Sequence, residues 1–217
     1  MAKKYIIWGS RGHAKVLADT LAIMGENVCA IFDNDLQAVS VVNDTPIFHG
    51  TDGFEEWKQQ VASVSIYYAL IAVGGARGRD RIQIYDFLSS HAVNLPVLVH
   101  PSASVAGSSN IFPGTQILAQ AMVSVDCFIG KACIINNRSG VDHECVIGNG
   151  CHVGPGATLC GEVNLGDNVM VGAGAVVLPR LRIGSNTTIG AGSVVTKSLP
   201  DGVVAYGNPA KIIKKNI

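Results

Sequence analysis

The chain has 217 residues, of which only 15% are charged; its net charge is zero and its mean hydropathy is +0.33. So few balanced charges exclude a polyanion-binding surface, so nucleic acid is not an expected partner. The apolar stretch Tyr5–Trp8 breaks at Gly9, too short for a signal-peptide core, and no run approaches the ~20 apolar residues of a membrane span. The expectation is a soluble, cytoplasmic chain without membrane insertion, its six cysteines reduced.

In chain order, "KYIIWG" reads as a short buried strand. "HAKVLADTLAIMG" has helical spacing through Val16, Leu17, Leu21 and Met24, with a stop at Gly25. "VCAIFD" and "YYALIAVGG" read as the second and third strands, and "RDRIQIYDFLSSH" as a second helix. This alternation predicts a parallel sheet with crossover helices, a small Rossmann-like domain over residues 1–96. The segment Asn34–Thr51 carries no readable pattern.

"GSRGHAK" leaves the first strand and opens the first helix. Glycines permit close backbone approach, and a helix N-terminus favours phosphate. The spacing is G-x-x-G-x-A rather than the dinucleotide fingerprint G-x-G-x-x-G. Asp33 ends the second strand, where a Rossmann domain would read a ribose, so NAD binding stands as a rival reading.

From Val99 a six-residue period takes over. Every sixth position from Val99 to Val195, seventeen in all, is Val, Ile or Leu. Four residues after most of them comes a small residue, such as Ala121, Cys127, Cys133, Ser139, Cys145 or Cys151; Val163, Val169 and Leu181 are the exceptions. This repeat specifies a parallel β-helix of hexapeptides over 97–198, with a capping segment at 199–217.

The register explains the cysteines in "GVDHECVIGNGCHVG", residues Gly140 to Gly154. Cys145 and Cys151 fall in the small inward column, and no closely spaced C-x2-C pair occurs, so no metal is expected. Two histidines are left over. His143 falls at a corner and His152, just before Val153, faces outward. The other residues preceding the aliphatics are oddly apolar: Met122, Phe128, Ile134, Val146, Met170, Val176 and Val194. Such a surface predicts a homo-oligomer.

These features resemble a family. "GSRGHAKV" (Gly9 to Val16), "DHECVIG" (Asp142 to Gly148) and "GNPAK" (Gly207 to Lys211) are similar to motifs of nucleotide-sugar N-acetyltransferases of bacterial surface-glycan synthesis, including the O-antigens of lipopolysaccharide. The relatives are the bacillosamine-type and GDP-perosamine N-acetyltransferases and the sialic acid O-acetyltransferases. The resemblance implies a left-handed β-helix, a homotrimer, and acetyl-CoA bound between adjacent prisms. It implies His143 as general base with Glu144 beside it, His152 at the acetyl thioester, and the Gly161 N–H facing the thioester carbonyl. Ala173 and Ala191 match CoA-lining positions, and Asn136 would lie near the dyad and touch the sugar. Arg11, Gly12 and His13 would hold the substrate phosphates, with Asp33, Asn34 and Gly74 at the nucleotide end. Lys211, Lys214 and Lys215 form a basic tail that either meets CoA phosphates or is simply solvated.

The leading reading is N-acetylation of the 4-amino group of a nucleotide-linked 4-amino-4,6-dideoxysugar, UDP-linked for preference. GDP-perosamine N-acetylation and sialic acid O-acetylation are alternatives within the family. A zinc β-helix protein of the γ-carbonic-anhydrase type and a scaffold without chemistry are alternatives outside it.

Overall fold

A computed structural model describes residues 3–216. The chain divides into two compact units, one running to Val73 and including Gln83–Pro96, the other formed by Gly74–Ile82 and everything from Val97 onward. Among the described residues, no helix is long and apolar enough to cross a membrane.

The first unit contains β1 (Lys4–Trp8), α1 (Gly12–Ile23), β2 (Asn27–Asp33), β3 (Ile47–His49), α2 (Gly50–Gln60) and β4 (Tyr67–Ile71). Helix α3 (Gly78–Ser90) has its first turn in the second unit and the rest in the first. The strands form one parallel sheet in the order β3-β2-β1-β4. Tyr5, Ile6, Ile7 and Trp8 are all buried, the unbroken apolar run that a covered parallel sheet demands. The sequence reading finds β1, β2, β4, α1 and α3 but passes over β3 and α2. α2 offers only two buried aromatic anchors, Phe54 and Trp57, on an otherwise polar stretch, which is too few to show a period. Those rings close an aromatic cluster with Phe32, with Phe32–Trp57 centroids 5.5 Å apart.

The second unit is a left-handed parallel β-helix. Through the body of the prism, a two-residue strand pairs with the strand eighteen residues on: Ile135 with Val153, and Val153 with Val171. Three hexapeptides therefore make one coil with three faces. The first face carries Gln116–Ile117, Ile134–Ile135, His152–Val153, Met170–Val171 and Thr188–Ile189. The second carries Met122–Val123, Gly140–Val141, Thr158–Leu159, Val176–Val177 and Val194–Val195. The third carries Phe128–Ile129, Val146–Ile147, Asn164–Leu165 and Arg182–Ile183. The aliphatic column and the small column fill the interior together.

Along most of the prism each corner turns through one left-handed residue. From Gln120 to Asn186 each sixth residue has φ between +52° and +66°, glycine or not. Gly150, Gly156, Gly174, Asn168 and Asn186 mark that column in the sequence, a second periodic signal, because glycine and asparagine tolerate this region best. The segment after residue 199 is an antiparallel hairpin, Val203–Gly207 with Ala210–Lys215, which extends the first face by pairing Val204 with Thr188.

The outward apolar positions do not form one column. Ile134 and Met170 lie on the first face, Met122, Val176 and Val194 on the second, and Phe128 and Val146 on the third. Ile134 is fully buried and so is no part of an exposed surface. The exposed members, Met122, Phe128 and Val146, gather with the exposed corner residue Val125 about one edge, where the second face meets the third.

The strap Gly74–Ile82 lies on the prism. Arg81 donates to the carbonyls of Ala132 and Gly150, and Arg79 Nε donates to Asn186 Oδ1 at 3.1 Å. Contact is close at Gly78, where a Cβ would stand 2.2 Å from Gly150 O.

Candidate functional site

His143 sits on the corner between the second and third faces, just after the strand Gly140–Val141. Asp142 Oδ1 accepts the His143 backbone N–H at 2.8 Å and fixes the start of the turn. Glu144 is the left-handed residue of this corner, with φ +57°, and its Oε2 lies 3.0 Å from His143 Nδ1. A carboxylate can only accept, so Nδ1 carries the proton and Nε2 keeps its lone pair. Gly161, eighteen residues on, occupies the same corner of the next coil. The imidazole lies over it, so that a Cβ at Gly161 would be 2.4 Å from Nε2. The Gly161 N–H meets no acceptor among the described residues. The structure thus brings together His143, Glu144 and Gly161: an imidazole with a free Nε2 lone pair, the carboxylate hydrogen-bonded to its Nδ1, and a backbone N–H at the corner below.

The surroundings of His143 favour its charged form. The Glu144 hydrogen bond, with the charges of Asp142, Glu144 and Glu162, raises the His143 pKa above its ordinary 6.5, against a smaller opposing effect of desolvation. A base must be neutral to accept a proton, so turnover should rise with pH through this raised value. Glu144→Gln replaces the charged acceptor with a neutral one and so weakens the largest cause, and the acidic limb of the kcat–pH profile should move to lower pH while the plateau falls. A limb unmoved by the substitution would show that His143 is not the titrating group.

His152 faces outward from the first face, as its register requires, yet it is only 6% exposed. The Gly75 N–H donates to its Nδ1 at 3.0 Å, and Asn136 Nδ2 lies 2.9 Å from its Nε2. Gly74 adjoins this cluster in the strap. The corner of His143 is opposite the first face, so within one chain His143 and His152 lie on opposite sides of the prism. Asn136 accordingly neighbours His152, not the His143–Glu144 dyad as the alignment of motifs suggests. Nine residues make one and a half hexapeptides, which carries a side chain from a corner to the far face. Ala173 and Ala191 stack on the corner between the first and second faces, where the Gly192 N–H bonds Ala173 O at 2.8 Å. They are exposed and share no corner with Gly161.

In the first unit, Arg11, Gly12, His13, Asp33 and Asn34 come together at the carboxyl ends of β1 and β2. Gly9 has φ +112°, and a Cβ there would stand 2.7 Å from Ala72 O, so only glycine fits the turn. Asp33 accepts the Ser10 N–H at 2.6 Å through one oxygen and the Asp35 N–H at 2.9 Å through the other. Both oxygens are therefore engaged in shaping the loops, unlike the free ribose reader that its position suggests. Asn34 Oδ1 accepts from Trp8 Nε1 at 3.2 Å. Gly12 opens α1, and the N-cap Arg11 supplies no side-chain cap, leaving an end suited to phosphate. Arg11 is exposed and pairs with Asp35 at 2.6 Å. Sequence reasoning passed over Asp35 and Arg81; the second acid of "DND" and the arginine of the α3 motif were the signals available.

Among the described residues, no group of three or more His, Cys, Asp or Glu side chains is arranged to hold a metal ion. Cys145, one of the core cysteines, is pushed up to about 12 by burial.

Two family profiles match. Residues 4–85 fit the PglD N-terminal domain, and residues 126–161 and 162–197 fit the bacterial transferase hexapeptide of six repeats. No curated protein matches by sequence. Solved structures match over nearly the whole chain. One is a perosamine N-acetyltransferase from Caulobacter crescentus in complex with CoA and GDP-perosamine, 32% identical, with 99% of each chain covered and a TM-score of 0.88. Another is the acetyltransferase domain of PglB from Neisseria gonorrhoeae in complex with acetyl coenzyme A, 31% identical, covering 98% of this chain and 100% of that one, with a TM-score of 0.86. WeeI from Acinetobacter baumannii is 25% identical, with coverage of 98% and 100% and a TM-score of 0.84. With both profiles in tandem and relatives above 30% identity along its length, the chain belongs to the hexapeptide-repeat acyltransferases that carry a PglD-type N-terminal domain.

Proposed function

We propose that the chain transfers the acetyl group of acetyl-CoA to the amine of a nucleotide-linked amino sugar in the cytoplasm. The observation that carries this reading is the His143–Glu144 pair lying over Gly161. A thioester is already activated, so no covalent enzyme intermediate is needed. The sugar amine attacks the acetyl carbonyl, and its proton passes to His143 Nε2. Glu144 holds the tautomer and stabilises the imidazolium. The tetrahedral oxyanion takes the Gly161 N–H, the C–S bond breaks, and CoA leaves as the thiol with the proton from His143.

His152 and Asn136 meet the acetyl carbonyl and the sugar, and Ala173 and Ala191 line the CoA. Since His152 and His143 face opposite ways in one chain, a single acetyl group reaches both only between two copies. A homotrimer of prisms supplies three such grooves. The exposed apolar group Met122, Val125, Phe128 and Val146 supports this, because it adjoins the corner that carries His143. In the first unit, Arg11, Gly12 and His13 take the diphosphate at the uncapped end of α1. Asp33 and Asn34 form the nucleotide end.

The sugar is a 4-amino-4,6-dideoxyhexose, with UDP as the favoured nucleotide. The likeness to the GDP-perosamine complex makes the GDP-linked sugar the second reading. The deciding experiment is CoA release with UDP-, GDP- and dTDP-linked 4-amino sugars and a sialic acid side by side. Turnover with one nucleotide amino sugar is expected. Turnover with the sialic acid alone, or with no substrate and no acetyl-CoA binding, would overturn the reading.

A further inference from the structure

Arg81 is a costly residue in its place. It is 1% exposed, and loss of solvent pushes its pKa down, an expense that an apolar side chain of similar size would avoid. Its three nitrogens end on backbone carbonyls: Nε on Ala132 O at 3.0 Å, Nη1 on Gly75 O at 3.2 Å, and Nη2 on Gly150 O. Ala132 and Gly150 are equivalent corner residues in successive coils, so one guanidinium fastens the strap to two layers of the prism.

The strap residue it holds is the one that touches His152. Two arrangements compete at that imidazole. In one, the Gly75 N–H donates to Nδ1 at 3.0 Å, which leaves the ring proton on Nε2. In the other, Nδ1 carries the proton and points it at Gly75 O, 3.4 Å away, while Nε2 accepts from Asn136 Nδ2 at 2.9 Å. A neutral ring has one acceptor nitrogen, so it cannot satisfy both donors. Arg81 biases the choice. Its charge-assisted bond engages the Gly75 carbonyl, the acceptor that the second arrangement needs, and leaves the Gly75 N–H directed at Nδ1.

We propose that Arg81 and the Gly75 peptide are positioning groups that hold His152 as an Nε2–H hydrogen-bond donor. The consequence rests on the functional reading above. An Nε2–H can donate to the acetyl carbonyl oxygen, whereas the other tautomer would present it a lone pair. An Nε2–H cannot accept from Asn136 Nδ2, so this tautomer requires the Asn136 amide to give up its 2.9 Å approach to Nε2 already in the ligand-free protein.

The test is the tautomer of His152 in the ligand-free protein labelled with ¹⁵N-histidine. Long-range ¹H–¹⁵N spectra report it, and His152→Gln assigns the signals. The wild-type ring should show the Nε2–H pattern. Arg81→Met should shift it toward Nδ1–H and lower kcat roughly tenfold or more by misplacing the donor, and Arg81→Lys should recover part of both. An Nδ1–H pattern in the wild type overturns the proposal, and so does an unchanged tautomer in Arg81→Met. Should Arg81→Met fail to fold, the wild-type pattern and the shift in Arg81→Lys decide the matter. The spectra need no substrate, so failure of every amino sugar in the turnover assay would sink the functional reading while leaving the tautomer result standing.

Discussion

Replacing His143 with alanine lowers turnover by about 10²-fold or more and leaves CoA affinity nearly unchanged. The first half follows from the general-base role proposed for His143, since such a base contributes roughly 10²–10⁴-fold. The second follows from the site. The His143 side chain is 45% exposed, and among the described residues its bonded side-chain partner is Glu144 on the same corner. The hydrogen bonds that hold the turn, Glu144 N–H to Val125 O and Glu162 N–H to His143 O, belong to the backbone and survive truncation. Steady-state kinetics with the preferred amino sugar, beside calorimetric titration with CoA, checks both halves. Full activity in the variant would remove His143 from the chemistry.

Gly161→Ala should cost about as much, although it adds only one methyl group. Gly161 does not have a left-handed φ, so alanine is conformationally permitted there and the fold should hold. The new Cβ, however, would lie 2.4 Å from His143 Nε2 and 2.5 Å from Cε1. The imidazole is the flexible partner and must swing away, and a misplacement of ~1 Å in a reacting group can cost roughly 10²-fold. The melting temperature should change little. The informative comparison is the double variant. If the methyl acts by displacing the imidazole, Gly161→Ala should add little to His143→Ala. Two full and independent losses would instead place the effect on the Gly161 N–H, as an oxyanion donor in its own right.

Much of this was legible in the chain. The period of six fixes the β-helix because a triangular coil needs one aliphatic and one small residue per side. The same count assigns Cys145 and Cys151 to the core and leaves His143 and His152 over. The motif "DHEC" puts Glu144 next to His143, and a corner turn makes neighbours of adjacent side chains. α2 stayed hidden because only Phe54 and Trp57 anchor it, and β3 because a three-residue strand shows no alternation.

The sequence by itself determined which side chains point inward, since inward and outward alternate along every strand and a periodic chain repeats that choice. It could not determine which outward residues share a side, because that depends on folding a line into a triangle. His143 and His152 look like partners nine residues apart, and the three-sided winding puts them on opposite sides. His143 and Gly161 look unrelated, and the eighteen-residue coil lays one over the other. The strap Gly74–Ile82 is the purest case. The helix motif shows an arginine at position 81 but not what it touches, and only the tertiary structure brings Arg81 and Gly75 to the first face, where long-range hydrogen bonds fix the environment of His152.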